Sequence, residues 1–246
     1  MSGSESTETH ILVVEDEPAL RDGLRFNFEQ EGYAVDVAGD GLTAIARFEE
    51  AGESLDLVIL DLMLPGMSGY EVCRKMREQN KTIPILVLSA RTLSEDKAQA
   101  FDCGSDQYVT KPFELPELLS RVRNLLDRHS RPGMPVESSE PESEPVQVGE
   151  VMVDLRRFEI HRDGETQTLT TMEQQLLKYF LQNEGVVLSR SDIMENVWGE
   201  TADITTRSID NFVLRLRRLI EKDSGSPEHI LSVRGTGYRF LQTPPA

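Results

Sequence analysis

The chain has little to tie it to an extracytoplasmic route, a membrane or a thiolate metal site. Of its 246 residues only two are cysteines, Cys73 and Cys103. They show no metal-binding or redox spacing, so a disulfide framework is excluded and reduced thiols are expected. No apolar run approaches the ~20 residues that a membrane span needs. The first ten residues are polar and acidic, unlike a secretory leader, so a cytoplasmic location with no membrane partner is expected. Positive charge is also scarce: 26 Lys and Arg stand against 43 Asp and Glu, a net −17. That excludes a uniformly basic coat, and any nucleic-acid contact must come from a local patch. No glycine-rich loop follows the first apolar run, which argues against a dinucleotide-binding fold.

The charge is unevenly spread. Residues 1–130 hold 24 acidic against 13 basic side chains, whereas 207–239 hold seven basic against four acidic. A chain of this length suits two domains. After a disordered 1–9, residues 10–130 alternate strand and helix signals. Strands are expected at Ile11–Val14, Tyr33–Ala38, Leu55–Leu60, Ile83–Leu88 and Tyr108–Val109, and helices lie between them and over 114–128. Short apolar strands separated by helices predict an α/β doubly wound five-stranded parallel sheet covered on both faces. The ligand crevice of such a sheet lies at the carboxyl ends of its strands.

Residues 131–146 (RPGMPVESSEPESEPV) are rich in Pro, Ser and Glu and read as a flexible linker. Over 147–243 the order is two or three short strands across 148–169, three helices and a closing hairpin at 229–241. This is the order of an α+β winged helix-turn-helix domain. Asp163-Gly164 signals a turn, and Thr170 with Glu173 fits a capping box at a helix start.

Several acidic residues fall just past predicted strands: Glu15 and Asp16 after the first, Asp61 after the third. Carboxylates gathered on one rim repel unless a cation sits among them, and hard oxygen donors suit Mg²⁺. Any one of them could instead be a helix cap. Ser89 and Lys111 fall at the ends of strands four and five, so a hydroxyl and a cation face the same rim. Such a set could receive a phosphoryl group, with Asp as nucleophile and the cations neutralising oxygens. A phosphohydrolase acting on small molecules is the competing chemistry. It would want a general acid close after Asp61, and position 63 is Met.

The segments Val14-Glu15-Asp16-Glu17, Leu60-Asp61-Leu62-Met63-Leu64-Pro65-Gly66, Leu88-Ser89-Ala90-Arg91 and Tyr108-Val109-Thr110-Lys111-Pro112-Phe113 resemble receiver domains of two-component response regulators, in order and spacing. The resemblance implies that Asp61 accepts a phosphoryl group from a sensor histidine kinase and is not a turnover enzyme's nucleophile. It implies that Glu15, Asp16, Asp61 and the Met63 carbonyl hold Mg²⁺. Lys111 and Ser89 would bind the phosphoryl group, with Tyr108 as the coupled switch. It also implies a cis Lys111–Pro112 bond, a role for Met63 and Arg91 in phosphoryl lifetime, and homodimerisation on phosphorylation. The expected dimer face carries Asp102, Asp106, Arg121, Arg123 and Arg128. Gln107 departs from the pattern, standing where an acid is usual.

In the second half, Ile209, Phe212, Val213, Leu216, Leu219 and Ile220 recur at helical spacing over 205–222 and form a buried stripe. Arg207, Asn211, Arg215, Arg218 and Lys222 occupy the opposite side. Leu169-Thr170-Thr171-Met172-Glu173, Leu214-Arg215-Leu216-Arg217-Arg218-Leu219 and Val233-Arg234-Gly235-Thr236-Gly237-Tyr238-Arg239-Phe240 are similar to the OmpR/PhoB-type effector domain. That resemblance implies a recognition helix at 205–222 reading double-stranded DNA through Arg207, Asn211, Arg215 and Arg218. Arg234 and Arg239 would approach the minor groove or phosphates from a wing whose glycines allow a tight turn, with Tyr238 in the core. A loop after Trp198 would be a contact for RNA polymerase. Leu214 departs from the polar or basic residue several relatives carry. A protein-interaction module without DNA binding is the alternative for this half.

Overall fold

The computed structural model describes residues 8–128, 144–199 and 206–243. Residues 1–7, nearly all of the expected linker, the loop beyond Gly199 and the Arg128 side chain lie outside the described residues. The described chain forms two compact units. One comprises the residues up to 92 with 103–127; the other comprises 93–102 with the residues from 128 onward.

The first unit is a five-stranded sheet in the order β2-β1-β3-β4-β5. Its strands are β1 (His10–Val14), β2 (Ala34–Ala38), β3 (Leu57–Asp61), β4 (Ile85–Ser89) and β5 (Gln107–Thr110), with α1 (Pro18–Gln30), α2 (Gly41–Ala51), α3 (Gly69–Gln79) and α5 (Leu115–Arg128) alongside. Every strand pair is parallel. β3 and β4 are buried along their whole length, as strands covered on both faces must be. Pro18 opens α1, and Ser68 with Glu71 forms a capping box on α3, each giving an end without intrahelical partners a defined start. The strand order turns back at β1, so the switch-point crevice lies between the ends of β1 and β3. Asp61 is the last residue of β3 rather than the first beyond it, since β3 runs one residue past the expected end.

The second unit starts with α4 (Ser94–Asp102). A four-stranded antiparallel sheet follows, β6 (Val146–Val148), β7 (Val151–Asp154), β8 (Glu159–Arg162) and β9 (Glu165–Thr168), in sequential order. It has more strands than expected because each is only three or four residues long. Asp163 and Gly164 both adopt positive φ at the β8–β9 hairpin, the backbone that a two-residue primed turn demands. Three helices come next, α6 (Thr171–Gln182), α7 (Arg190–Trp198) and α8 (Thr206–Ile220). The Thr170–Glu173 capping box is present at the head of α6.

The closing hairpin, β11 (Ile230–Val233) and β12 (Gly237–Phe240), pairs with a further short strand, β10 (Val187–Ser189), in the order β10-β12-β11. Gly235 has φ +76° and supplies the expected tight turn. Gly237 serves differently: a Cβ there would meet the Leu188 carbonyl oxygen at 2.0 Å, so its lack of a side chain lets β10 and β12 approach. Among the described residues no helix is long and apolar enough to cross a membrane.

Candidate functional site

The parallel sheet brings the expected residues to one rim. Glu15 follows β1, Asp61 ends β3, Ser89 ends β4 and Lys111 follows β5. Glu15 and Asp61 are 1% and 3% exposed, whereas Asp16 faces solvent. One carboxylate oxygen from each of the three lies within 4.8 Å of the others. The Lys111 ammonium donates to Glu15 Oε2 at 2.6 Å and also to Asp61 Oδ2. A second Asp61 oxygen, Oδ1, accepts from the Met63 backbone N–H at 2.7 Å. Burial, opposed in part by the bond from Lys111, pushes Glu15 above the ordinary carboxylate range. Burial works against the Lys111 charge, yet the bonds to Asp61 and Glu15 outweigh it and its pKa is raised.

Two buried carboxylates and one exposed carboxylate within a few ångströms are a hard-oxygen donor set with solvent access on one side. This chemistry fits a small divalent cation that keeps some of its waters. Glu15, Asp16 and Asp61 are the residues that would hold it.

The expected switch residues lie on neighbouring strands, Ser89 at the end of β4 and Tyr108 within β5. Ser89 is fully buried, and its Oγ accepts from the Arg91 N–H at 3.1 Å. The Lys111 N–H donates to the Ser89 carbonyl at 2.8 Å, joining the ends of β4 and β5. Tyr108 is fully buried, with its hydroxyl donating to the Arg91 carbonyl at 2.7 Å. The Lys111–Pro112 bond is cis. Arg91 Nε approaches Met63 Sδ at 3.3 Å, so the two positions flanking the site touch each other, a contact that sequence separation hides.

The structure redistributes the expected dimer face. Asp106 is fully buried: Arg77 donates to it at 2.5 Å and the Ile85 N–H at 2.8 Å. It therefore leaves the surface set. Arg121, 3% exposed, pairs with Glu117 and donates to Gln107 Oε1 at 3.2 Å, so Gln107 accepts on its own chain where an acid was expected to act between chains. Arg123 pairs with Glu31, the residue that caps the end of α1, at 2.9 Å. Asp102 accepts from Asn211 at 3.0 Å within the second unit.

In that unit Ile209, Phe212, Val213, Leu216 and Ile220 of α8 are buried, as their spacing predicts. The other side of the helix is not uniform. Along one flank Asn211 bonds Asp102. Arg215 donates to Glu173 at 2.8 Å and to the Phe101 carbonyl at 3.0 Å, and its guanidinium stacks on Phe212. Along the other flank Asp210 accepts from Arg190 at 2.8 Å and from the Tyr238 hydroxyl at 2.6 Å, and Arg217 caps the Ile230 carbonyl. Arg207 and Arg218 are exposed on the crest between, with Leu214 beside them. Arg234 stands exposed near the hairpin tip, whereas Arg239 is half-buried with its Nε lacking a partner among the described residues. Tyr238 is buried as expected. Sequence reasoning missed Asp210, Arg190 and the bond of the capping-box residue Glu173 to Arg215, because each joins residues distant in the chain.

Comparison with known proteins agrees with both halves. The response regulator receiver domain model matches residues 11–123, and the model for the C-terminal domain of transcriptional regulatory proteins matches 164–240. The sensory transduction protein RegX3 of Mycolicibacterium smegmatis is 39% identical over 232 residues, covering 94% of this chain and 99% of that protein. A probable transcriptional regulatory protein of Picosynechococcus is 38% identical over 240 residues, covering 96% and 94%. A solved RitR mutant aligns with a TM-score of 0.71 at 22% identity, covering 95% of this chain and 99% of that one, which supports the fold. With its acid-rimmed parallel sheet and its winged helix, the chain belongs to the OmpR/PhoB-type two-component response regulators, joining a receiver domain to a DNA-binding transcriptional regulatory domain.

Proposed function

We propose that Asp61 accepts a phosphoryl group from a sensor histidine kinase and that this drives homodimerisation and sequence-specific binding to double-stranded DNA, so regulating transcription. The observation carrying this reading is the convergence of Lys111, Glu15 and Asp16 on the Asp61 carboxylate at the sheet's switch point. Asp61 supplies the nucleophilic oxygen: an O–P bond forms as the P–N bond to the kinase histidine breaks. The Met63 N–H orients that carboxylate through its other oxygen. Lys111, with three donors, shifts from Asp61 toward the incoming oxygens and neutralises charge there. Bound Mg²⁺ would supply further charge neutralisation at those oxygens. Ser89 and Tyr108 are the pair through which the added charge is read.

The chain acts on its own Asp61 and turns over no exogenous substrate, since the side chain two residues beyond Asp61 is Met63 and offers no acid. Arg207, Arg218 and Arg234 stand exposed for contact with a duplex, and Asn211 and Arg215 join them on release from their present partners. A loop beyond Trp198 contacts RNA polymerase. Dimerisation uses the face of β5 and α5 with its ion pairs rearranged. The test is incorporation of label from acetyl phosphate with Mg²⁺. Wild type takes up close to one equivalent and Asp61→Asn takes up none. Equal labelling of the two proteins, or loss of salt-sensitive DNA binding by the wild type, overturns the reading.

A further inference from the structure

Leu214 is a large aliphatic side chain left 40% exposed on α8. On a helix of 3.6 residues per turn it lies about 20° around from Arg207, two turns earlier, and about 40° from Arg218, one turn later. Both arginines are exposed. The buried stripe of Ile209, Phe212, Leu216 and Ile220 is on the opposite side of α8. Leu214 is therefore not part of the core. It also does not belong to either flank: one flank is occupied by the bonds of Asn211 and Arg215, the other by those of Asp210 and Arg217. The crest of the helix thus consists of two guanidinium groups with an aliphatic group between them.

We infer that Leu214 is a specificity-determining residue that reads the 5-methyl group of a thymine in the major groove. This rests on the proposed DNA binding by α8. Arg207 and Arg218 complement the charge of a duplex and hold the crest against it. Of the groups on the floor of the major groove, the thymine methyl is the one that an aliphatic side chain can recognise. A leucine has no donor for a phosphate or a base edge, so placing it in the groove costs affinity opposite polar edges and gains it opposite a methyl. The pairing selects T over C at one step without a hydrogen bond.

The experiment starts from a duplex selected from a randomised library by the full-length protein phosphorylated with acetyl phosphate. Each thymine of that duplex is replaced in turn by deoxyuridine, which removes only the methyl group. Wild type should lose about fourfold in affinity at one position, the worth of one buried methyl. Leu214→Ala should bind the parent duplex correspondingly more weakly and show no sensitivity to deoxyuridine there. An unchanged thermal midpoint for this exposed substitution confirms folding. If no thymine replacement affects the wild type, or if Leu214→Ala keeps the same sensitivity, the inference fails while DNA binding stands. If no duplex is enriched, DNA binding by α8 fails and the inference with it.

Discussion

The Lys111 ammonium lies 2.6 Å from Glu15 Oε2 and is shared with Asp61, so a single cation holds together two carboxylates that are almost wholly buried. Lys111→Ala leaves both without this cationic partner, with only the backbone N–H groups of Met63 and Glu17 donating to them. Removing one member of a buried ion pair costs about 3–5 kcal/mol, and the partial exposure of Lys111 places this case near 3. A divalent cation binding the freed carboxylates stabilises the folded state by mass action. The urea midpoint of Lys111→Ala should therefore fall below that of the wild type without Mg²⁺ and recover with Mg²⁺ by more than the wild type's does. An Mg²⁺-independent midpoint in the variant would show that the three acids do not act as one site.

Arg77 links three segments of the receiver. It donates to Asp106, to the Gly104 carbonyl at 2.7 Å and to the Ile83 carbonyl at 2.5 Å. Asp106 is completely buried, so Arg77→Ala removes the guanidinium that pairs with this carboxylate and bonds two carbonyls. A loss of about 3–5 kcal/mol is expected, read as a lowered denaturation midpoint. Asp106→Asn keeps an acceptor for the Ile85 N–H and should lose less. Equal losses would mean that the charge pair, rather than the hydrogen bonds, dominates.

Tyr238 joins the closing hairpin to α8. Its hydroxyl donates to Asp210, and the Arg190 guanidinium lies 4.9 Å from its ring centre. Burial first, then the bond to Asp210, pushes its pKa up to about 12. A phenol whose folded pKa exceeds the unfolded value near 10 contributes stability in full below pH 10. That contribution is lost as pH rises through 12, because the unfolded chain ionises first. Absorbance titration should show one tyrosine ionising near 12, absent in Tyr238→Phe. The substitution should cost about 1 kcal/mol, since Arg190 remains to pair with the half-exposed Asp210.

The fold was legible in the sequence where a periodic pattern and a local rule coincide. The apolar runs ending in Val14, Leu60 and Leu88 place Glu15, Asp61 and Ser89 at one rim, because a parallel sheet has one crevice. The buried stripe of α8 and the Thr170–Glu173 cap are likewise local patterns. What stayed hidden depends on partners far apart in the chain. Asp106 looks like a surface acid until Arg77, 29 residues away, is seen to neutralise it. The bonds that hold the Arg215 guanidinium, to Glu173 and to the Phe101 carbonyl, join residues 42 and 114 apart and leave no local pattern. Strand β10 is three residues long and exists through its pairing with β12, which no short window can show.

Two residues expected from sequence to contact DNA are bonded to α4. Asn211 donates to Asp102 at 3.0 Å, and Arg215 donates to the Phe101 carbonyl at 3.0 Å, with the Phe101 and Phe212 rings 5.7 Å apart between them. A carboxamide whose N–H₂ is bonded to a carboxylate is less available to bond an adenine edge, so under the proposed function α4 and a duplex would compete for the same donors. Asp102 is exposed, and its replacement leaves no buried group unpaired. Asp102→Ala therefore removes one competing bond, worth about 0.5–1.5 kcal/mol, at little cost to folding. Fluorescence anisotropy with a selected duplex should show the unphosphorylated variant binding about two- to tenfold more tightly than unphosphorylated wild type. The salt dependence should be unchanged, because no phosphate contact is gained. Affinity equal to that of the wild type would mean that Asn211 does not contact the duplex or that its bond to Asp102 does not compete with that contact.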